Sequence, residues 1–436
     1  MSRIESRPAS LHADDETPAE QRSRFGAIAN EMAAGGSVDQ HDPDEGPDRV
    51  TTIVGIGSWI ALFGVLAWIN VWMLVFVVGV LISVFLHEVG HYVTARRTGM
   101  TVTMFFMGFG PRIWSFHRNG IEYGIRAIPL GAFVRIVGMN NLDDVPAEME
   151  PRTYRAQSYP KRMLVITAGS IMHMIIAIVL ISVVYAVAGR EEETGEVFIS
   201  AEVDPSTPAW AAGLQEGDRI LAIDGVAVTT ADEVRATLRA KEPRDPVRVD
   251  LERDGEPLTV ETFMGQRPDT SESMGYLGIA TNSIDRVGKS IPEAVVLGGR
   301  DLVVGVGQAV VGVVKVMNPI NVFEHLTNTS DDLESRPTTI VGATRISDDV
   351  ALFAGWAGVI QLLAGLNVSV GVFNMFPLLP LDGGHAAIAT YERIRSRRGQ
   401  RYVADVAKLM PVLAVTIGLL AFMFLTGLYL DIARPL

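Results

Sequence analysis

The chain has 436 residues, of which 48% are apolar and 20% charged, with a mean hydropathy of +0.26. That mixture excludes one soluble core and implies apolar spans alternating with polar parts. There is no cysteine, which excludes disulfides, thiolate metal sites and cysteine nucleophiles, and the net charge of −13 is unevenly spread.

Residues 1–49 show no apolar periodicity and carry eleven acids against five arginines. Such a segment cannot bury a core and reads as a disordered acidic tail. The next charged residue after Arg49 comes only beyond His87. As one helix, residues 51–86 would measure roughly 54 Å, against about 30 Å of hydrocarbon. Trp68, Asn70 and Trp72 lie at the middle of this stretch, and tryptophan favours the headgroup level. The expectation is an extra span over 50–69 and a second over 70–95, turning near Asn70. A single bent helix, eased by Gly55, Gly57 and Gly64, is the alternative.

The second span ends in His87-Glu88-Val89-Gly90-His91. On a helix, residues four apart share a face, so both imidazoles project together, and Glu88 lies about 100° round from His87. Two neutral imidazoles suit Zn²⁺, and a third protein ligand would leave one position open for water. Ionisable groups at the end of a membrane helix are costly, which favours a functional reading over a pair of interfacial histidines.

Residues 96–162 hold ten Lys/Arg against five acids, which makes this loop cytoplasmic by the positive-inside rule. Within it, Gly108–Pro111 and Glu122–Arg135, including Gly131, alternate as strands separated by turn residues, a small membrane-associated β-sheet. A span follows over 163–188. It opens with Ala168-Gly169-Ser170 and carries His173, for which a satisfied interhelical histidine is favoured over a ligand.

Residues 190–290 turn polar, with 21 acids against 11 bases. Gly213–Gly225 reads turn, buried strand, turn and resembles a PDZ domain, with a helix near 230–240 and strands near 246–252 and 257–263. Its charge and its place between spans make it extracytoplasmic. Residues 291–349 are expected to be an amphipathic interfacial segment, because 291–317 lacks the length and purity of a span. Arg336-Pro-Thr-Thr-Ile-Val-Gly-Ala-Thr344, ahead of the next span, carries no chemical motif of its own.

A span over 350–386 carries Asn374-Met-Phe-Pro377-Leu-Leu-Pro380-Leu-Asp382-Gly-Gly384. A carboxylate at the edge of hydrocarbon is expensive unless paired, and a metal on the HEVGH helix would remove that cost. Asp382 is thus the candidate third ligand, with His173 or His385 as alternatives. A basic loop over 387–408 (Arg393, Arg395, Arg397, Arg398, Arg401 and Lys408) and a span over 409–430 close the chain.

HEVGH on one membrane helix with NMFPLLPLDGG on a later one resembles the site-2 proteases, in particular the bacterial branch with a PDZ domain (the regulator of sigma-E protease type). The resemblance runs from about Val71 to Leu430. Where many relatives have Gly-Pro followed by Asn, this chain has Ser170 and His173.

It implies a polytopic α-helical membrane metalloprotease with a membrane-associated sheet and an inserted PDZ domain, in the bacterial inner membrane. It further implies zinc held by His87, His91 and Asp382, with Glu88 as general base. The substrate-binding candidates are Asn374, Pro377, Pro380 and Gly131. The implied partners are single-span proteins such as trimmed anti-sigma factors, an extended or C-terminal peptide at the PDZ domain, and the lipid bilayer; nucleic acid is not among them. Two rival classes stand beside this: an inactive PDZ-bearing scaffold, which has no need of Glu88, and a metal transporter, which would spread ionisable groups along several spans.

Overall fold

Asn70 splits the first apolar stretch. In the computed structural model, which describes residues 49–139, 145–266, 275–327, 329, 332, 335–396, 402–404 and 406–434, helix α1 (Arg49–Ile69) is followed by α2 (Val71–Arg97). Asn70 is extended (φ −162°, ψ 132°), and its side chain accepts the Trp72 amide at 2.7 Å, an N-cap that starts a new helix. The acidic tail and Arg397, Arg398 and Arg401 lie outside the described residues.

Strands β1 (Val102–Arg118) and β2 (Ile121–Ile136) follow. β1 runs through Gly108–Pro111, with Gly108 and Gly110 at positive φ (88° and 78°) and repeated register shifts. These bulges fold each strand on itself, so Val102–Met107 lies between residues 122–125 on one side and 132–136 on the other. Trp59 Nε1 donates to Arg126 O at 3.0 Å, and Ser58 Oγ lies 2.7 Å from Ala127 O. Helix α1 therefore satisfies sheet carbonyls that hydrocarbon cannot.

Helix α3 (Tyr159–Val187) crosses α2 closely: a Cβ on Gly90 would stand 2.8 Å from Ala168 O. The chain then divides into two compact units, one from Met1–Ser182 and Val295–Leu436, the other Val183–Ala294.

The second unit has strands β3 (Arg190–Ile199), β4 (Arg219–Ile223), β5 (Val226–Ala227), β6 (Pro246–Arg253), β7 (Glu256–Phe263) and β10 (Thr281–Val287), with a minor pair β8 (Gly265–Gln266) and β9 (Gly275–Tyr276). Its helices are α4 (Pro208–Ala211) and α5 (Ala231–Arg239). The sheet order is β10-β3-β4-β6-β7, so β10 is an edge, and Ala231 N donates to Ser283 Oγ (3.0 Å) to tie α5 beside it. Alternating residues Val247, Val249 and Leu251 are fully buried with Ile220 and Ile223, as the period-2 pattern requires. Thr230 and Glu233 form a capping box on α5. Asp218, 1% exposed, receives two Arg253 bonds of 2.7 Å, which pin the turn before β4.

Helix α6 (Ile291–Met317) corrects the expectation for this stretch: it is one continuous helix of 27 residues, long and apolar enough to span. Glycines and the Arg300–Asp301 pair disguised its length. The short α7 (Pro319–Thr327) and then α8 (Ile340–Asn374) follow; α8 starts ten residues earlier than the expected span, is kinked at Gly355 (φ 64°) and ends at Asn374 rather than continuing through Pro377. Helices α9 (Asp382–Arg395) and α10 (Met410–Ala433) complete the first unit.

Among the described residues six helices are long and apolar enough to cross a membrane. Gly298 of α6 packs against Ser182 of α3, and Asn70 bonds Asp348 near the start of α8.

Candidate metal centre

The C-terminal part of α2 presents His87 and His91 on one face, 7% and 5% exposed. The first residue of α9, Asp382, meets them. His87 Nε2 and His91 Nε2 are 3.1 Å apart, and Asp382 Oδ2 lies 3.4 Å from the first and 3.3 Å from the second. With metal–ligand bonds of about 2.0–2.1 Å, tetrahedral geometry puts ligand atoms about 3.3 Å apart. Asp382 Oδ2 is also buried without a hydrogen-bond partner among the described residues, as expected of an atom aimed at a cation. The three groups therefore fit a zinc ion. His173 and His385 lie outside this group of ligand atoms.

Local sequence explains the convergence. Met375 to Leu381 forms tight turns, with Phe376 N bonding Phe373 O and Leu381 N bonding Leu378 O. The diglycine makes this possible: a Cβ on Gly383 would collide with the Met375 and Phe376 carbonyls, and one on Gly384 would stand 2.7 Å from Leu379 N. The loop can thus fold over the start of α9 and deliver Asp382 to the α2 histidines. Arg162 Nη1 donates to Glu392 Oε2 at 2.6 Å, a buried pair fixing α9 against α3.

His91 Nδ1 lies 2.7 Å from Val165 O, which leaves Nε2 with its lone pair toward the centre. The Glu88 carboxylate faces the Val134 backbone amide, so residues 132–136, an edge of the sheet, pass beside it. Asn374 is half-buried at the end of α8, while Pro377 and Pro380 are exposed in the following loop. Gly131 has φ 95°, and a Cβ there would stand 2.9 Å from the Phe109 ring.

Sequence reasoning missed Gly169, where any Cβ would collide with both His87 and His91. A small residue one helix away gives no local signal. It also missed Val134 and the carbonyl of Val165.

The chain matches peptidase family M50 over residues 75–418. It is 31% identical over 402 residues to zinc metalloprotease Rip1 of Mycolicibacterium smegmatis, covering 84% of this chain and 98% of that protein. Rip1 of Mycobacterium tuberculosis is 31% identical over 400 residues, with the same coverage. Among solved structures, the PDZ domain of an SdrC-like protein from Listeria monocytogenes overlaps 20% of this chain and 85% of its own, at 22% identity and a TM-score of 0.18, too slight an overlap to bear on the assignment.

Proposed function

The chain belongs to peptidase family M50, and from that premise we propose which residues carry its reaction and what it cuts. It is an intramembrane zinc metalloprotease, a multi-pass protein of the bacterial inner membrane that acts on membrane proteins. His87, His91 and Asp382 hold the zinc in this reading, which their 3.1–3.4 Å spacing supports. When bound, zinc supplies a water of lowered pKa and a positive charge for the carbonyl oxygen.

Glu88 accepts the proton of that water and returns it to the leaving amine. The sheet edge at 132–136 pairs with the substrate backbone, which must be extended before a peptide bond can be attacked. Gly131 opens that edge, Asn374 bonds the unwound chain, and Pro377 and Pro380 interrupt regular helix beside it. The substrates are single-span proteins such as anti-sigma factors already trimmed outside. The extracytoplasmic PDZ unit takes an extended or C-terminal peptide along β10, whose free edge beside α5 supports strand addition.

The observation that carries this reading is the convergence of HEVGH and Asp382. Its test is Glu88→Gln in the purified full chain with a model single-span substrate. Zinc should be retained while cleavage falls by about 10²–10⁴-fold; cleavage near the wild-type rate would remove Glu88 from the mechanism.

A further inference from the structure

The two imidazole ligands are supported unequally. His91 has its Nδ1 on the Val165 carbonyl, whereas His87 Nδ1 is buried with no hydrogen-bond partner among the described residues. A metal-binding histidine needs something to fix its ring, and a hydrogen bond at the second nitrogen is the usual device. For His87 the neighbouring support is another ring: His173 of α3 lies with its centroid 4.9 Å away at 46°.

His173 is itself locked. It is 2% exposed, and its Nδ1 stands 2.8 Å from Asn367 Oδ1 of α8. Asn367 can adopt only one orientation. Its Nδ2 faces the Leu363 carbonyl (2.8 Å), which can only accept, and the Ser83 hydroxyl (3.1 Å), whose own hydrogen goes to Gly79 O (2.8 Å). Oδ1 is thereby left to accept from His173 Nδ1–H, which fixes the tautomer and the ring plane. The junction joins the helix bearing His87, the helix bearing Gly169 and the helix leading to Asp382.

We propose that His173, held by Asn367, is a positioning residue whose ring fixes the metal-binding orientation of His87. The inference rests on the ligand set of the proposed function. Asn367 acts on the metal only through His173, and Ser83 acts through Asn367. Ring packing here performs the task that the Val165 carbonyl performs for His91. The polar chain ties that ring to α2 and α8, so their relative placement and the rotamer of His87 are set together.

The test measures zinc retained by the purified full-length chain against increasing chelator, with thermal midpoint recorded beside it. His173→Ala and Asn367→Ala should each lower apparent zinc affinity about 10–100-fold. Because one acts through the other, the double variant should be no worse than His173→Ala alone. His173→Phe, which restores a ring face, should retain zinc better than His173→Ala.

Phe76→Ala supplies the comparison for a merely structural effect. Phe76 is fully buried with Val359 and Leu363, at the same pair of helices, so it should lower the thermal midpoint and leave zinc affinity unchanged. Unaltered zinc retention in His173→Ala, strictly additive losses, or an equal zinc loss in Phe76→Ala would overturn the proposal. Should His173→Ala fail to fold, Asn367→Ala and His173→Phe carry the same comparison. A wild-type chain that binds no zinc would instead sink the ligand assignment itself.

Discussion

The Asp431 carboxylate near the end of α10 accepts the Thr339 amide and the Thr339 hydroxyl, each at 2.7 Å, and the Gly342 amide at 3.1 Å. It therefore caps α8 from another helix, while Arg345 donates to the Asp431 carbonyl and Arg336 Nη2 lies 3.9 Å from Oδ1. The segment Arg336–Arg345 is the socket for this one carboxylate. Gly342 is required because a Cβ there would strike Asp431. Asp431→Ala would strand the Thr339 and Gly342 amides and the Thr339 hydroxyl, and would leave Arg336 without its carboxylate, a cost on the order of 3 kcal/mol. A thermal midpoint in detergent indistinguishable from wild type would contradict the socket.

Much of the site was legible from sequence because its parts are local. HEVGH needs only helical spacing, and Asp382 is marked by a lone carboxylate in apolar surroundings. The PDZ strands announce themselves by alternation around Val247, Val249 and Leu251. What could not be read depends on partners far away along the chain. Asp431 looks like an ordinary terminal acid until α10 meets α8. Gly169 looks like any helix glycine until α3 crosses α2, and the folded-back register of β1 and β2 is set by non-local pairing that no window of sequence contains.

Gly169→Ala turns that close approach into a measurement. The added methyl has no room beside the His87 and His91 rings, and the α2–α3 crossing is already tight at Gly90, so the histidines must rotate. Zinc content should fall far more than helix content measured by circular dichroism. Full zinc occupancy in this variant would mean that the two helices can separate at no cost.

The third ligand is tested against an exposed acid elsewhere. Asp382→Asn should lower zinc affinity strongly, because it removes the anionic member of the set. Glu256→Gln, in an exposed hairpin of the PDZ unit, should not. Equal zinc content in the two variants would make Asp382 structural and send the search to His385 or His173.

The PDZ unit contains its own acid-sensitive contact. Asp224 is opposed by burial, but the Lys241 ammonium at 2.6 Å and the Arg248 amide at 2.9 Å hold its pKa below the ordinary carboxylate value. A depressed folded-state pKa contributes stability above the unfolded value of about 3.9, lost as pH falls toward the folded one. Protection factors in β4 and β6, taken relative to the intrinsic exchange rate at each pH, should therefore fall in wild type between about pH 5 and 3. Asp224→Asn should start less protected and change less, so the two converge in acid; parallel curves would assign the pH dependence to another group.

The last prediction is the side on which the N-terminal tail emerges. Asn70 ends one helix and caps the next, so α1 and α2 form a hairpin rather than one bent rod. Thr52, Ser58 and Trp59 of α1 bond carbonyls of the sheet that directly follows the C-terminus of α2. The start of α1 is thus on the same side as Arg96 and Arg97, and for the basic loop 96–162 the positive-inside rule predicts the cytoplasmic side. Residues 1–48 should then lie inside the cell. Because the chain has no cysteine, Ser37→Cys is a clean probe: a membrane-impermeant thiol reagent should label it only after lysis. Labelling of intact cells would mean that α1 runs the other way, and the hydrogen bonds from Ser58 and Trp59 to the sheet would have to be absent in the membrane.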